Sequence, residues 1–335
     1  MEGIRRRTRA EHCGARHSVT PLPPDLGVVV VAYGDPALLE RNLVELGRQV
    51  PLRRVVIVDN FSGLAEREAT TAVCEREGWT LLAPGLDLGF AAAVNAGVRL
   101  LRSRGCRLLL VLDPAVRIDE PALSALALDC ASNPQRLVSP RILRPNGTVW
   151  FGGGTVDIRR GLTRNGGAAD SAAPAGWLSG ACLMIHAGLW DWLDGFDESY
   201  FLHWEDVDLS WRCVAAGGSL AVREDIWVVR EECGQGPALR APLQVYSACR
   251  NRLAFAARHL SRRHLIRWLL LSPVYAMTVL RSGTGRGAAR SGAPLVAAAV
   301  RGTGAGAALA IRTLTIPLTG SGSYPPVTAA KSAVH

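Results

Sequence analysis

Residues 26–35 read LGVVVVAYGD, an apolar run that ends in a glycine and an acid. Two later stretches, VVIVDNFS at 55–62 and LLLVLDPA at 108–115, repeat this pattern of an apolar run followed by polar residues. Short, continuous, β-branched runs are typical of strands that are buried on both faces of a parallel sheet. We therefore predict three parallel strands whose polar carboxyl ends converge on one site.

The segments between these strands have helical periodicity. Helices are predicted at residues 37–50, 65–77 and 91–102, which gives the strand–helix alternation of a doubly wound α/β fold. The sequence that follows Gly89 lacks the glycine spacing of a dinucleotide-binding loop, and the chain contains no Gly-Lys-Ser/Thr sequence. Both observations argue against a dehydrogenase or a P-loop enzyme.

The 335 residues are enough for one large domain or for a domain with an appendage. The formal net charge of +9 would by itself suit nucleic acid, anionic lipid or phosphate-bearing substrates. No nucleic acid partner is expected, because the sequence has no helix-turn-helix, zinc-finger or RNP-like motif. Eight singly scattered cysteines indicate a reducing compartment. Residues 1–24 lack an apolar run of signal-peptide length and are interpreted as a disordered basic arm.

The pattern changes after residue 133. A further strand is predicted at 137–139, and the turn sequence RPNG at 144–147 predicts a hairpin. Residues 152–176 are rich in Gly, Ala and Ser and have little apolar periodicity. We interpret them either as a mobile loop over an acceptor or as a plain linker.

Helices are predicted at 205–216 and 243–258, both rich in arginine and aromatic residues. The apolar stretch 265–280 follows and is flanked by arginines, the pattern of a helix that lies on a membrane surface. It is shorter than the about 20 residues that span a bilayer and contains Arg267 and Pro273. Peripheral attachment and ordinary helical packing remain as alternatives.

The tail from residue 283 to residue 335 has low complexity and carries no recognisable chemistry. It contains one further amphipathic candidate, at residues 294–314.

Several motifs of the chain, taken in order, resemble those of family 2 glycosyltransferases, and the rhamnosyltransferase-like enzymes are the closest subgroup. The resemblance covers residues 26 to 260 and is carried by the segments 28–35, 58–62, 89–97, 112–115, 180–182 and 196–212. It implies a GT-A fold, with a mostly parallel sheet flanked by helices. The expected divisions are a basic arm at 1–24, a glycosyltransferase domain at 25–260 and a helical, membrane-associated appendage at 261–335.

The segment Glu205-Asp206-Val207-Asp208 supplies the candidate catalytic acids. Sugar transfer needs a base that removes a proton from the acceptor hydroxyl while a nucleoside diphosphate leaves. The resemblance implies that Asp206 is this base of an inverting reaction and that Glu205 positions the base or the acceptor. The alternative is that acids at a helix start merely complement the helix dipole. Asp208 is expected to pair with Arg212, four residues later.

The resemblance also implies a donor site and an acceptor side. Asp59 would contact the base of the nucleotide, although an Asx turn after the strand is the alternative. The donor-binding candidates are Ala32, Tyr33, Asp35, Asp59, Asn60, Ser62, Gly89, Asn95, Asp113 and Arg250. The acceptor-side candidates are Trp177, Gly180, Ala181 and Trp204.

Two positions depart from the family pattern. The family binds Mg²⁺ or Mn²⁺ with an Asp at the third position of the motif that ends its fourth strand, where this chain has Ala115. Because alanine cannot bind a cation, Asp113 is the only carboxylate left in this motif. The usual downstream His is also missing. We expect metal-independent transfer in which arginines bind the diphosphate, with Arg250 the first candidate and Arg230 and Arg117 secondary.

The predicted function is inverting transfer of a hexose or deoxyhexose, such as rhamnose, from a nucleoside-diphosphate donor to a hydroxyl-bearing acceptor. The acceptor would be a glycan, a lipid-linked molecule or a secondary metabolite. The expected location is cytoplasmic, at the inner face of the cell membrane. The alternative is a catalytically impaired paralogue that binds nucleotide sugar or a partner without turnover.

Overall fold

The computed structural model describes residues 22–51, 54–166, 176–231, 240–283 and 292–315. Most of the predicted arm, part of the Gly-rich segment and most of the low-complexity tail lie outside these residues. The strands are β1 (Leu26–Ala32), β2 (Val55–Asp59), β3 (Thr80–Leu82), β4 (Leu108–Leu112), β5 (Val116–Arg117), β6 (Arg136–Leu143), β7 (Val149–Phe151), β8 (Gly154–Asp157), β9 (Leu162–Asn165), β10 (Cys182–His186) and β11 (Ser219–Arg230). The helices are α1 (Ala37–Gln49), α2 (Leu64–Glu77), α3 (Phe90–Ser103), α4 (Glu120–Ser132), α5 (Ala187–Trp192), α6 (Glu205–Ala215), α7 (Arg240–His259), α8 (Arg262–Leu270), α9 (Ser272–Gly283) and α10 (Gly292–Thr315).

One half of the main sheet is parallel and follows the sequence pattern closely. The strands are ordered β3-β2-β1-β4, and all three pairings are parallel. Every residue of β1, β2 and β4 is buried, because helices cover both faces of the sheet. The three predicted strands and the three helices between them are confirmed, and their carboxyl ends share one edge.

The other half of the sheet is mixed and continues the order with β10-β6-β11-β5. Strand β10 runs antiparallel to β4 and β6, whereas β11 pairs parallel with β6. The predicted hairpin is present as β6 and β7, which pair antiparallel. Helix α6 follows β10 and α5 in the chain. It begins at the same edge of the sheet as the carboxyl ends of β1 and β4.

The segment predicted as a mobile loop or linker is folded up to residue 166. Strands β8 and β9 form a separate two-stranded antiparallel sheet. A Cβ added at Gly154 would lie 2.0 Å from the indole nitrogen of Trp177, so the glycine is needed for close packing. The lack of apolar periodicity misled the prediction, because this hairpin packs through glycine backbone contacts rather than through an apolar face.

Arg252 of α7 holds this hairpin to the C-terminal helices. Its side chain is fully buried, and Nε donates a hydrogen bond to the carbonyl oxygen of Gly161 at 2.7 Å. Its guanidinium lies over the rings of Trp268 and Tyr275, at 4.9 Å and 4.6 Å from the ring centroids. Burial lowers the pKa of Arg252 to about 10, which leaves the side chain charged at neutral pH.

The stretch predicted as one amphipathic segment at 265–280 is broken into α8 and α9 at Ser272-Pro273. Leu265 and Trp268 are buried in the main core, so one side of α8 packs against the protein. The opposite side is exposed and apolar, with Leu270 exposed to 76%. Helical packing is therefore confirmed for one face of α8, and peripheral attachment to a membrane stays a prediction.

Helix α10 covers the second amphipathic candidate. It lies directly on α7, since a Cβ added at Gly302 would be 2.3 Å from the carbonyl oxygen of Tyr246, and one at Gly306 would be 2.8 Å from that of Arg250. Among the residues that the structure describes, α10 is the one helix long and apolar enough to cross a membrane. All six described cysteines are buried free thiols.

Candidate functional site

The backbone that leads into α6 is bent sharply by two residues in the left-handed region. His203 has a φ of 67° and Trp204 a φ of 75°, a conformation that is costly for side chains other than glycine. Asn251 of α7 stabilises the bend, because its Nδ2 donates to the carbonyl oxygens of Leu202 and His203, each at 2.9 Å. The helix therefore starts with Glu205 and Asp206 in a fixed position.

Asp206 is held by two backbone amides on different oxygens. The amide of Gly180 donates to Oδ2 at 3.2 Å and that of Val207 to Oδ1 at 2.8 Å. Burial raises the pKa of Asp206 to about 6, and the two amide hydrogen bonds limit this rise. A carboxylate with a pKa near neutrality is well suited to accept a proton in general base catalysis.

Glu205 differs from its neighbour in being buried, with 6% of its surface exposed. Its Oε2 has no hydrogen-bond partner among the described residues. Burial, followed by the nearby charge of Asp206, raises the pKa of Glu205 well above its ordinary value. Burial therefore favours the protonated form of Glu205, which would offer a hydrogen-bond donor beside Asp206.

Asp208 plays a different part from these two acids. Its oxygens lie 2.6 Å from Nε of Arg212 and 2.6 Å from Nε2 of His259. Burial alone would raise the pKa of Asp208, but these partners lower it below its ordinary value. The predicted pair with Arg212 is confirmed, and Asp208 anchors α6 to α7 behind the site.

A cavity of about 500 Å³ opens in front of the two acids. Its lining includes Glu205 and Asp206, and Trp177 and Trp204 from the predicted acceptor side contribute as well. Gly180 touches this site through its amide, while Ala181 accepts a hydrogen bond from the amide of Asp113 at 2.8 Å. The cavity is also lined by residues that the sequence did not single out: Trp150, Phe151, Thr163, Asn165, Ser179, His203, Val207, Ala241, Gln244, Val245, Ala248, Tyr275, Val279, Leu280 and Leu295.

Two of the donor-binding candidates, Asp35 and Ser62, shape the turns after β1 and β2. Asp35 Oδ1 caps α1 by accepting from the amide of Ala37 at 3.0 Å. Ser62 Oγ accepts from the amide of Gly34 at 3.0 Å, which ties the two turns together. The half-buried Tyr33 and the buried Ala32 lie at the end of β1, between these turns.

Asp59 and Asn60 end β2 and organise the surrounding loops. Asp59 Oδ2 accepts from Nε of Arg67 at 2.5 Å, and Arg67 also lies 4.6 Å from the centroid of the Phe61 ring. Asn60 Nδ2 donates to Asp87 at 2.6 Å. Asp59 therefore forms an ion pair with Arg67, next to the predicted nucleotide site.

Gly89 and Asn95 connect α3 to the segment that precedes α6. Gly89 has a φ of 78°, and a Cβ there would lie 2.3 Å from the carbonyl oxygen of Phe201. Asn95 is buried, with its Nδ2 donating to the carbonyl oxygen of Phe196 at 2.8 Å and its Oδ1 accepting from the amide of the same residue at 3.1 Å. Both residues therefore hold the segment before α6 in place through these contacts.

Asp113 lies at the carboxyl end of β4 with both oxygens engaged. Oδ1 accepts from the amide of Ala115 at 2.8 Å, and Oδ2 is 3.3 Å from Nη2 of Arg230. The guanidinium of Arg230 also lies 4.7 Å from the centroid of the Trp150 ring. Nε of Arg230 is buried and has no hydrogen-bond partner among the described residues.

This arrangement does not fit the divalent metal that the family resemblance implies. Mg²⁺ and Mn²⁺ require several oxygen ligands, whereas Ala115 presents a buried methyl group and Asp113 already binds a guanidinium. Within the described ranges, no three His, Cys, Asp or Glu side chains are grouped so as to hold a metal.

The structure brings Arg230, rather than Arg250, to Asp113. Arg250 Nη1 donates to the carbonyl oxygen of Ser199 at 2.9 Å and to Oδ1 of Asn251 at 2.6 Å, so it braces the loop before α6. Arg117 is exposed and lines a separate cavity. Of the three arginines, Arg230 is the one that the structure places beside Asp113, because β11 pairs with β5, and the role of each in binding a diphosphate stays a prediction.

Two solved structures share this fold. GalNAc-T7 with UDP, GalNAc and Mn²⁺ aligns with a TM-score of 0.53 and 14% identity, covering 70% of this chain and 50% of that one. The mannosyltransferase PcManGT from Pyrobaculum calidifontis in complex with GDP-Man and Mn²⁺ aligns with a TM-score of 0.51 and 18% identity, covering 89% and 90%. At such identities the likeness shows the fold alone, which is the predicted GT-A fold.

Two curated proteins are similar in sequence, although no protein-family model matches the chain. The N-acetylglucosaminyl-diphospho-decaprenol L-rhamnosyltransferase of Mycobacterium tuberculosis is 31% identical over 222 residues, covering 57% of this chain and 71% of the relative. The low-salt glycan biosynthesis hexosyltransferase Agl10 of Haloferax volcanii is 22% identical over 241 residues, covering 68% and 74%. The chain belongs to the rhamnosyltransferase-type family of GT-A glycosyltransferases.

Proposed function

We propose that the protein is an inverting glycosyltransferase that moves a hexose or deoxyhexose, with rhamnose the first candidate, from a nucleoside-diphosphate donor to a hydroxyl of a lipid-linked glycan. The observation that carries this proposal is Asp206, whose pKa burial raises to about 6 where it lines an aromatic cavity. The name of the mycobacterial relative supports the choice of sugar and of a lipid-linked acceptor.

In the proposed reaction, Asp206 removes the proton from an acceptor hydroxyl while that oxygen attacks the anomeric carbon. The carbon–oxygen bond to the nucleoside diphosphate breaks on the opposite side, so the anomeric configuration inverts. The amides of Gly180 and Val207 keep the base oriented. We assign Glu205 the protonated form that its raised pKa favours, in which it donates a hydrogen bond to the acceptor and holds the attacking oxygen near Asp206.

The leaving diphosphate needs positive charge, and we assign this task to Arg230. Its guanidinium is fixed by Asp113 and by the Trp150 ring, and its buried Nε–H has no partner among the described residues, so a phosphate oxygen would supply the hydrogen bond that it lacks. A planar guanidinium binds phosphate oxygens in a bidentate manner. Transfer would then proceed without Mg²⁺ or Mn²⁺, in contrast to the two solved relatives, whose structures contain Mn²⁺.

The donor site would lie along the ends of β1, β2 and β4. The turns that carry Tyr33, Asp35, Asn60 and Ser62 are joined to each other, and Asp59 would bind the nucleotide base after exchanging part of its contact with Arg67. We further propose that the enzyme works in the cytoplasm at the inner face of the membrane, where both a soluble donor and a lipid-linked acceptor are accessible.

A second candidate is a paralogue that binds nucleotide sugar without turnover. The observation that favours it is Ala115, which removes the metal-binding carboxylate of the family motif. Retention of the two acids of α6 at the mouth of the cavity favours catalysis instead.

The test is donor hydrolysis and transfer by purified protein across uridine-, thymidine- and guanosine-diphosphate sugars, with Mn²⁺ and with EDTA. The proposal predicts turnover in EDTA that is lost in both Asp206→Asn and Arg230→Gln. Activity that disappears in EDTA and returns with Mn²⁺ would contradict metal independence. Nucleotide binding without turnover in either condition would favour the second candidate.

A further inference from the structure

The cavity in front of Asp206 has a polar and an apolar part. Glu205, Asp206, Ser179 and Asn165 contribute polar groups. The C-terminal helices and α7 contribute a wall without charged groups, formed by Val245, Ala248, Tyr275, Val279, Leu280 and Leu295. The sequence analysis assigned no catalytic or substrate-binding residue to two of these helices, α9 and α10.

We propose that this apolar wall binds the first isoprenoid units of a polyprenyl-diphosphate-linked acceptor. This inference rests on the proposed function, which puts the acceptor sugar at Asp206. A purely polar acceptor would bury hydroxyl groups against Val279, Leu280 and Leu295, whose side chains offer no hydrogen bond to replace water. An isoprenoid chain has only apolar groups, and its removal from water at such a wall is favourable.

Helix α9 also connects the cavity to an exposed apolar face. Tyr275 and Val279 line the cavity, whereas Val274 and Met277 are exposed to 63% and 50%. These two exposed residues are three apart and lie on one side of the helix. A lipid held in the cavity therefore has an apolar surface close by along which its remaining units can reach a bilayer.

Helix α8 carries a second exposed apolar strip and adds positive charge. Ile266 and Leu270 are exposed and four residues apart, so they share one side of the helix. The exposed Arg263 and Arg267 flank them. An apolar strip bordered by arginines is complementary to an anionic membrane surface, which is where a polyprenyl diphosphate is found.

The first experiment measures binding to the full-length protein by tryptophan fluorescence, since Trp150, Trp177 and Trp204 line the cavity. The probes are farnesyl diphosphate and inorganic diphosphate. We expect a Kd for farnesyl diphosphate that is at least tenfold lower than that for inorganic diphosphate. Equal Kd values for the two probes would overturn the inference, because the isoprenoid chain would then contribute nothing.

A matched pair of variants locates the binding. Leu295 lines the cavity, and its neighbour Val296 is exposed to 50% on the same helix. Leu295→Asn should weaken farnesyl diphosphate binding at least tenfold, and Val296→Asn less than twofold. If Leu295→Asn does not fold, Ala248→Leu is the test variant instead. It fills the cavity without adding a polar group and should weaken the binding of farnesyl diphosphate. An Ala248→Leu protein that binds farnesyl diphosphate like the wild type would overturn the inference.

The second experiment compares two acceptors that differ only in their lipid. N-acetylglucosaminyl diphosphate carrying a farnesyl group should have a kcat/KM at least tenfold higher than the same compound with a methyl group. Equal kcat/KM values would overturn the lipid site and leave the proposed function intact. Absence of turnover with either acceptor would contradict the proposed function, whereas the binding of farnesyl diphosphate would still support the lipid site.

Discussion

The acid side of the pH–rate profile tests the assignment of Asp206 as the base. Burial raises the pKa of Asp206 from 3.8 to about 6, and the base is active only when it is ionised. With a pKa of about 6, roughly one eleventh of the molecules carry ionised Asp206 at pH 5 and roughly ten elevenths at pH 7. The rate should therefore rise about tenfold between these two pH values. An ordinary pKa of 3.8 would give a change of only about 6%.

The assay measures initial rates of transfer at saturating donor between pH 5 and pH 8, with circular dichroism to verify that the protein stays folded. Glu205→Gln is the informative variant, because a protonated Glu205 carries no charge and glutamine has nearly the same shape. The apparent pKa of the rate should therefore stay within about half a pH unit in this variant. If Glu205 were ionised, its loss would remove a repelling charge and lower the apparent pKa by about one unit or more.

A rate that is flat between pH 5 and pH 7 would refute the reasoning, as would an apparent pKa that falls with Glu205→Gln. The first result would mean that Asp206 is not the titrating base. The second would mean that Glu205 is ionised and repels the charge of Asp206, contrary to the protonated state proposed for it.

Three further predictions concern other parts of the molecule. Arg230→Gln should lower kcat by about 10²–10³, the usual effect of losing one group that stabilises transition-state charge, whereas Arg223→Gln on the same strand should leave kcat unchanged; equal losses would contradict the role of Arg230. Gly302→Leu should reduce the free energy of unfolding by about 1–3 kcal/mol, because its side chain would collide with the backbone of Tyr246, and an unchanged urea midpoint would show that α10 does not pack there. Arg252→Met should cost about 1–3 kcal/mol, because it leaves the carbonyl oxygen of Gly161 without the donor that Arg252 supplies, and the same urea titration checks it.

Much of the fold could be predicted because the parallel strands are specified by local sequence. Strands β1, β2 and β4 are continuous apolar runs, and each ends at the residue where polar groups begin. The helices between them have their own periodicity. Since parallel strands must be joined by crossovers, the arrangement of this half follows with few alternatives.

The hairpin of β8 and β9 could not be predicted in this way. Its stability depends on Gly154 packing against Trp177 and on the contact of Gly161 with Arg252, both across long sequence separations. A glycine-rich stretch has the same composition whether it is a linker or a closely packed hairpin. The difference lies in the neighbours that tertiary folding supplies.

The residues of the candidate site likewise divide into those that local sequence predicts and those that only tertiary contacts reveal. The segment around Asp206 was found from the sequence because a resemblance of ordered motifs does not need contacts between distant residues. Arg230 was only a secondary candidate, since nothing in its local sequence shows that β11 pairs with β5 and turns its side chain towards Asp113. Arg250 was preferred for its neighbouring Asn251, yet both residues brace the backbone before α6.

The sequence by itself determined the α/β class, the parallel half of the sheet and the two acids at the start of α6, because these depend on patterns within short segments. Only the tertiary structure decided that Glu205 is buried and its pKa raised, that a guanidinium lies where a metal would be expected, and that α9 and α10 form a wall of the cavity. Burial, pKa and cavity walls are properties of the space around a side chain. That space is filled by residues that are distant in the sequence and meet only when the chain folds.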